Sequence, residues 1–368
     1  MTERGAFHRA PHSHSATRIC PSRHWHAPTI AILAALIAGL AAAPVAVSAG
    51  MIRDDRDPQS YVALAASPAF ASAGRFDVSA YGTEFAGSGT LVGDRWVLTA
   101  AHVLDAASGA SFTVGGRSYT ASHWVMHPKW NGNYRKGFDL ALVKLSEPVT
   151  GVAPARVYGG SREMGATATF VGFGQTGTGA GGPASFDGLE RAGRNVIDGM
   201  PGPKDKSYQP RLTKKARVFV VDFDNPRNPG DSTLGSAQPL DLEYLISLGD
   251  SGGGAFADFK DGNGPVLVGV HSFGEMPDGV DDSDYGDVTG HVRVSRSVNW
   301  IRSVMRRQGD PVAAARLAVI APGRGRSARL SSLSPTSPVP EPGPVAGLVL
   351  ACAAAIVRRP CRPAARAD

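Results

Sequence analysis

Residues 88–103 read SGTLVGDRWVLTAAHV, and the architecture turns on them. Two short apolar runs flank Gly93-Asp94, so the stretch reads as strand, turn, strand. The second run, Trp96-Val97-Leu98, leads into Thr99-Ala100-Ala101, whose small side chains leave room for the imidazole of His102. Outward from this stretch the same punctuation recurs: ASFTVGGRSYTASHWV (110–125), LALVKL (140–145), ATATFVGFG (166–174), ARVFVVDF (216–223), GPVLVGVHSF (264–273) and GHVRV (290–294). Repeated short strands separated by glycine predict an all-β barrel or sandwich. Gly115-Gly116 reads as a hairpin turn, because two glycines readily supply positive φ. A single helix is read in the body, over 296–308, where Val298, Ile301, Val304 and Met305 fall at helical spacing.

Three segments carry residues suited to nucleophilic chemistry. Leu248-Gly249-Asp250-Ser251-Gly252-Gly253 sets a serine among glycines, where missing Cβ atoms let a substrate backbone approach and the amides of Gly249 and Ser251 converge. His102 supplies a base, and Phe138-Asp139-Leu140 sets a lone carboxylate at the mouth of an apolar strand. Each piece alone is weak, since a serine in a glycine-rich loop is usually a turn and an aspartate at a strand edge is usually a cap.

Their order is more informative. SGTLVGDRWVLTAAHV, FDLALVKL, LGDSGGG, VHSFG and the closing VNWI together resemble the chymotrypsin/trypsin family over about residues 85–305. That family has the chain order His, Asp, Ser. The resemblance implies two packed six-stranded antiparallel β-barrels with a C-terminal helix, and a serine endopeptidase acting on protein or peptide substrates without a cofactor or metal. It implies His102, Asp139 and Ser251 as catalytic triad and the Gly249 and Ser251 amides as oxyanion hole. Ser272 matches the serine that bonds the triad carboxylate and begins the strand that holds the substrate backbone, with Phe273 and Gly274 following it. The alternative from another class is a catalytically silent surface-binding protein on the same fold; such proteins commonly lose a triad residue, and none is lost here.

The resemblance also locates the primary pocket. The residue six before the catalytic serine is Leu245, and a second pocket position aligns with Thr289. Neither is charged, and Gly274 leaves the entrance open, so the expectation is an apolar pocket for small or medium side chains, with Glu275 at its rim. A basic residue followed by Ile-Val-Gly-Gly, which precedes the first strand in that family, is absent. There the freed amino terminus pairs with the aspartate before the catalytic serine, here Asp250; Met51-Ile52-Arg53 is a candidate terminus after further trimming, but about 50 residues before His102 it is farther than usual.

The ends read differently from the body. Residues 30–43, IAILAALIAGLAAA, form an apolar run of 14 residues behind Arg4, Arg9, Arg18 and Arg23, the layout of a secretory signal with cleavage after Ala49. The domain expectation is therefore signal 1–49, peptidase domain 50–310, a disordered linker 311–338 rich in Ala, Arg, Ser and Pro, and a sorting segment 339–368. Val339-Pro340-Glu341-Pro342, the apolar stretch to Val357 and Arg358-Arg359 resemble a PEP-CTERM signal, which implies an exosortase-like sorting enzyme as partner, transient membrane association and export across a Gram-negative-type envelope. The formal charge of +6 belongs to these ends: residues 51–310 hold 26 of the 38 basic and 29 of the 32 acidic side chains, giving no electrostatic reason for nucleic acid as a partner. All three cysteines, Cys20, Cys352 and Cys361, lie outside the body, which excludes a disulfide, a cysteine nucleophile or a cysteine zinc site within it. The stretches 174–188 and 198–215 read as exposed loops, and 277–287, PDGVDDSDYGD, as a solvated acidic turn in preference to a calcium loop.

Overall fold

The computed structural model describes residues 50–202, 215–280 and 282–321. The signal, the sorting segment and the three cysteines lie outside the described residues.

The first half is a closed antiparallel barrel of β1 (Ala73–Ala80), β2 (Thr83–Gly93), β3 (Trp96–Thr99), β4 (Ala107–Val114), β5 (Arg117–Met126) and β6 (Ala141–Leu145). Its ring order is β1-β2-β3-β6-β5-β4, with β4 returning to β1. Alternation drives the closure: Phe76, Val78 and Ala80 of β1 point into the core, while Arg75, Asp77 and Ser79 between them are less buried. The Gly115-Gly116 hairpin forms as read, with φ of +59° and +75° and Val114 opposite Arg117.

The second half repeats the plan with β7 (Thr167–Gly172), β8 (Arg191–Val196), β9 (Val218–Asp222), β10 (Gly254–Ala257), β11 (Val266–Glu275) and β12 (Val288–Arg293). Their path, β8-β7-β10-β11-β12-β9, is the ring order of the first half opened between its second and third strands. Among the described residues that gap is crossed past the end of β8, where Val220 O accepts from Asp198 N–H at 3.1 Å and Gly199 and Val220 exchange hydrogen bonds of 3.2 and 2.9 Å. The fold is therefore all-β, with one closed barrel and a second, eight-stranded sheet whose six main strands have the same connectivity.

Three local readings are corrected. The helix read over 296–308 spans Val298–Arg307, with Ile301, Val304 and Met305 buried against the first barrel, but two more helices are present. Pro58–Ala65 and Pro311–Arg316 each begin with proline behind a capping aspartate, Asp57 or Asp310, whose side chain accepts from the first turn. Residues 311–321, read as the start of a linker, are folded: Asp310 also accepts from Trp96 Nε1 at 3.0 Å, and Val319–Ile320 pairs with Val157–Tyr158. The 174–188 loop is partly internal, because Thr176–Thr178 pairs in parallel with Gly50–Ile52, which pairs on its other side with Tyr244–Leu245.

The second half buries a group of acids apart from its ion pairs. Asp198, Asp222, Asp224 and Glu243 are each less than a tenth exposed, and none is in an ion pair among the described residues. Burial first, then mutual repulsion, pushes Asp198 up to about 8 and Asp224 to about 7, and burial pushes Glu243 to about 9. Carboxyls raised in the folded state bind protons there more tightly than in the unfolded chain, so their contribution is fully present below the ordinary carboxylate range and is lost as pH rises through 7 to 9. The melting temperature should accordingly fall between pH 6 and pH 9, and Asp198→Asn should flatten that slope; a melting temperature that rises over this interval in scanning calorimetry overturns the assignment.

Candidate active site

The β3–β6 pairing brings the first two candidate residues together. Thr99 lies opposite Ala141, so His102, three residues past Thr99, meets Asp139, two residues before Ala141. The Asp139 carboxylate is fully buried. Its Oδ1 accepts the His102 backbone N–H at 2.9 Å, and its Oδ2 accepts His102 Nδ1–H at 2.7 Å. Ser272, from β11 in the other half, donates its hydroxyl to the same Oδ2 at 2.6 Å. A carboxylate on Nδ1 selects the tautomer whose Nε2 is an acceptor. The imidazole remains 23 % exposed, packed edge-on against Tyr134 at 5.4 Å.

Ser251 is half-buried on the loop entering β10, and that loop is tied from both sides. From the first barrel, Ser88 of β2 donates its N–H to Ser251 O at 2.8 Å and its hydroxyl to Gly249 O at 3.0 Å, while accepting Phe173 N–H at 3.1 Å. From the second half, Gly252 N–H donates to His271 O and His271 N–H to Gly253 O, both at 2.9 Å. Only glycine suits position 252, whose φ is +85° and whose Cβ would stand 2.0 Å from Thr99 Oγ1. With their carbonyls engaged, the Gly249 and Ser251 amides have no protein acceptor among the described residues, leaving two donors beside the hydroxyl.

Asp250, fully buried, accepts from Gly174 N–H at 2.8 Å, Ser247 N–H at 2.9 Å and the Tyr244 hydroxyl at 3.2 Å. Burial pushes its carboxyl up to about 6 against the opposing pull of these donors. The other buried histidines serve packing. His271 and His291 touch through Nδ1 at 3.1 Å beside Phe170, and burial pushes His271 down to about 3, so both are neutral.

Two cavities meet at Ser251. One, about 500 Å³, is walled by His102, Val103, Phe85, Phe173, Phe186 and Leu248 and includes Gly249. The other, about 410 Å³, contains four of the residues read as pocket positions, Leu245, Phe273, Gly274 and Thr289; Ser272 lies behind it on Asp139. This second cavity departs from the apolar pocket expected, because Glu275 and Asp287 line it too. The segment read as a solvated acidic turn is folded inward at Asp287, of which only 5 % is exposed. Ser88 and Tyr244 had no signal, since each acts through contacts across the chain.

A closed β-barrel and a second sheet of the same connectivity, with a serine, an imidazole and a buried carboxylate at their seam, resemble the arrangement of trypsin-type proteins. Residues 66–232 match the Trypsin family, a span that includes His102 and Asp139 and ends before Ser251. The chain is similar to complement C1s subcomponent of Sus scrofa, 27 % identical over 248 residues, and to a calcium-dependent serine proteinase of Mesocricetus auratus, 34 % over 252 residues. Each of these alignments covers 61 % of this chain and 32 % of the relative, so the chain spans about a third of their length. Chymotrypsin-like elastase family member 1 of Canis lupus familiaris is 37 % identical over 73 residues, 17 % of this chain and 28 % of that protein. Among solved structures, HL collagenase aligns at a TM-score of 0.47 with 18 % identity, covering 72 % of this chain and 99 % of that one.

The Ser88 clamp is testable. Ser88→Ala removes the hydroxyl bonds to Gly249 and Phe173 and should destabilise the fold by about 1–3 kcal/mol. Hydrogen exchange of the Gly252 and Gly253 amides should quicken, because the loop that carries Ser251 loosens; unchanged melting and exchange would refute the clamp.

Proposed function

We propose that the chain is an exported serine endopeptidase that hydrolyses peptide bonds through an acyl-enzyme. The observation that carries this reading is the Asp139 carboxylate, which orients His102 from one half and holds Ser272 from the other, at the seam where Ser251 opens onto both cavities. In this reading His102 Nε2 takes the Ser251 proton as the hydroxyl attacks the scissile carbonyl, then returns it to the leaving amine. Asp139 stabilises the imidazolium. The Gly249 and Ser251 amides bind the oxyanion, and loss of one such donor typically costs about 3 kcal/mol. Ser272 to Gly274 would pair with the substrate backbone, and the 410 Å³ cavity would take the side chain before the cut. A fluorophosphonate probe should label the wild type and not Ser251→Ala, and His102→Ala should lower kcat by about 10⁴-fold or more while remaining folded. Absence of wild-type labelling favours the silent binder.

Maturation follows from the same geometry. Removal of a signal after Ala49 would create an amino terminus at Gly50, with no further trimming. Gly50–Ile52 is buried between Thr176–Thr178 and Tyr244–Leu245, and Gly50 packs so closely on Tyr244 that a Cβ would lie 2.0 Å from the hydroxyl, itself bonded to Asp250. The freed ammonium would then add a cation beside Asp250, which is in no ion pair among the described residues. The tail would direct sorting by an exosortase-like enzyme after export. Terminal mapping of the mature protein by mass spectrometry should find Gly50 first, and a precursor blocked at Ala49 should be at least about ten-fold less active; full activity of the blocked precursor removes this role for Gly50.

A further inference from the structure

Two cavities share Ser251, and the larger, of about 500 Å³, is the one that His102 borders. An imidazole that returns its proton to the leaving amine must stand within about 3 Å of that nitrogen, so the residues after the cut depart along the His102 wall. The 500 Å³ cavity therefore faces the leaving half of a substrate, and the 410 Å³ cavity faces the half that stays on Ser251. Its walls expose apolar surface to an unusual degree. Eight large apolar side chains are exposed among the described residues, and three of them, Phe85, Phe186 and Leu248, converge here at 39, 50 and 69 % exposure. Such convergence marks a surface kept for an apolar occupant.

The ring of Phe186 lies across one of the two amide-bearing residues beside the Ser251 hydroxyl. Gly249 adopts φ +93°, and a Cβ there would stand 2.7 Å from Phe186 Cε1. The loop behind the ring is pinned, because fully buried Arg191 donates to both carboxylate oxygens of Asp187 at 3.0 and 2.7 Å. Asp187 also accepts Leu189 N–H at 2.9 Å, and on the other flank Thr176 N–H donates to Ser185 O at 2.7 Å. A half-exposed ring on a backbone fixed from both sides is preorganised, so contact with a substrate costs it little ordering. The charges at the rim already have protein partners: Arg75 pairs with Asp77 at 2.6 Å, and Glu84 accepts the Ser79 hydroxyl. Selection in this cavity therefore falls to apolar area.

We propose that this cavity takes an aromatic or large aliphatic side chain from one of the two residues after the cut, and that Phe186 selects it. The inference rests on the serine peptidase reading and places selectivity on the leaving side of the bond. An aromatic occupant would bury roughly 150–250 Å² and set its ring edge-to-face or offset against Phe186. Phe85, Val103 and Leu248 would close around its remaining faces. A glycine or aspartate in the same place would leave that wall in water.

The experiment uses quenched fluorescent peptides that share every residue before the cut and carry Phe, Leu, Gly or Asp at the first or second position after it. Full-length wild type, Phe186→Ala and Phe186→Leu are compared, with fluorophosphonate labelling to count active sites in each preparation. Wild type should favour Phe and Leu over Gly and Asp by roughly ten-fold or more in kcat/KM at one of the two positions. Phe186→Ala should bring that ratio close to one, and Phe186→Leu should keep part of it. If Phe186→Ala does not label, Phe186→Leu carries the comparison, and a ratio undiminished from wild type overturns the proposal. An anilide with the same residues before the cut and none after it separates selection from support of Gly249: a loss in Phe186→Ala as large on the anilide as on the peptides overturns the proposal. So does a wild type that labels but is indifferent to the residues after the cut, or a preference that survives Phe186→Ala; each leaves the peptidase reading intact. A wild type that does not label overturns both.

Discussion

Asp139 holds the two halves in register at one carboxylate. The His102 amide and ring come from the first barrel and the Ser272 hydroxyl from the second sheet, and all three donate to a group that has no exposure to water. A buried carboxylate deprived of any of these donors would be costly, so the geometry of the imidazole and the seating of one half on the other are the same requirement. Ser88 repeats the device from the opposite direction, gripping the loop that carries Ser251 through two of its carbonyls. The site is thus made of loops, but loops pinned at their backbones to strands of both halves.

The shared ring order of the halves explains where those loops lie. In the first barrel every neighbouring pair forms a ladder, while in the second sheet the join between β8 and β9 shrinks to a single bridge. Next to that looser edge sits the group of buried acids, with Asp222 Oδ2 accepting the amides of Thr233 and Leu234 in place of a cation. The second half therefore carries the polar burden of the fold, and the first half carries the larger apolar core, to which the C-terminal helices add Ile301, Val304, Met305 and Ala314.

Charge is handled differently in the two carboxylates of the 410 Å³ cavity beside Ser251. Glu275 meets Arg135, so its presence adds little field, whereas Asp287 is left without an ionic partner among the described residues. Residue composition alone would count them alike.

How much of this was legible depends on the range of the interaction. Strand identity, the Gly115-Gly116 hairpin, the helix around Ile301 and the order of His102, Asp139 and Ser251 follow from periodicity and short motifs, because alternation and turn geometry act over a few neighbouring residues. The Asp-Pro starts at Asp57-Pro58 and Asp310-Pro311 were equally local signals, passed over because both helices are short. Tertiary structure decided what lies across the chain: Gly50–Ile52 set between two distant strands, Ser88 gripping Gly249 and Ser251 from 161 residues away, and an aspartate of an acidic turn folded inward beside Thr289. A residue's type and spacing state what it can bond. Whether its neighbours leave it solvated, paired or stranded in a cavity depends on backbone that arrives from elsewhere, and no local pattern in the sequence encodes that arrival.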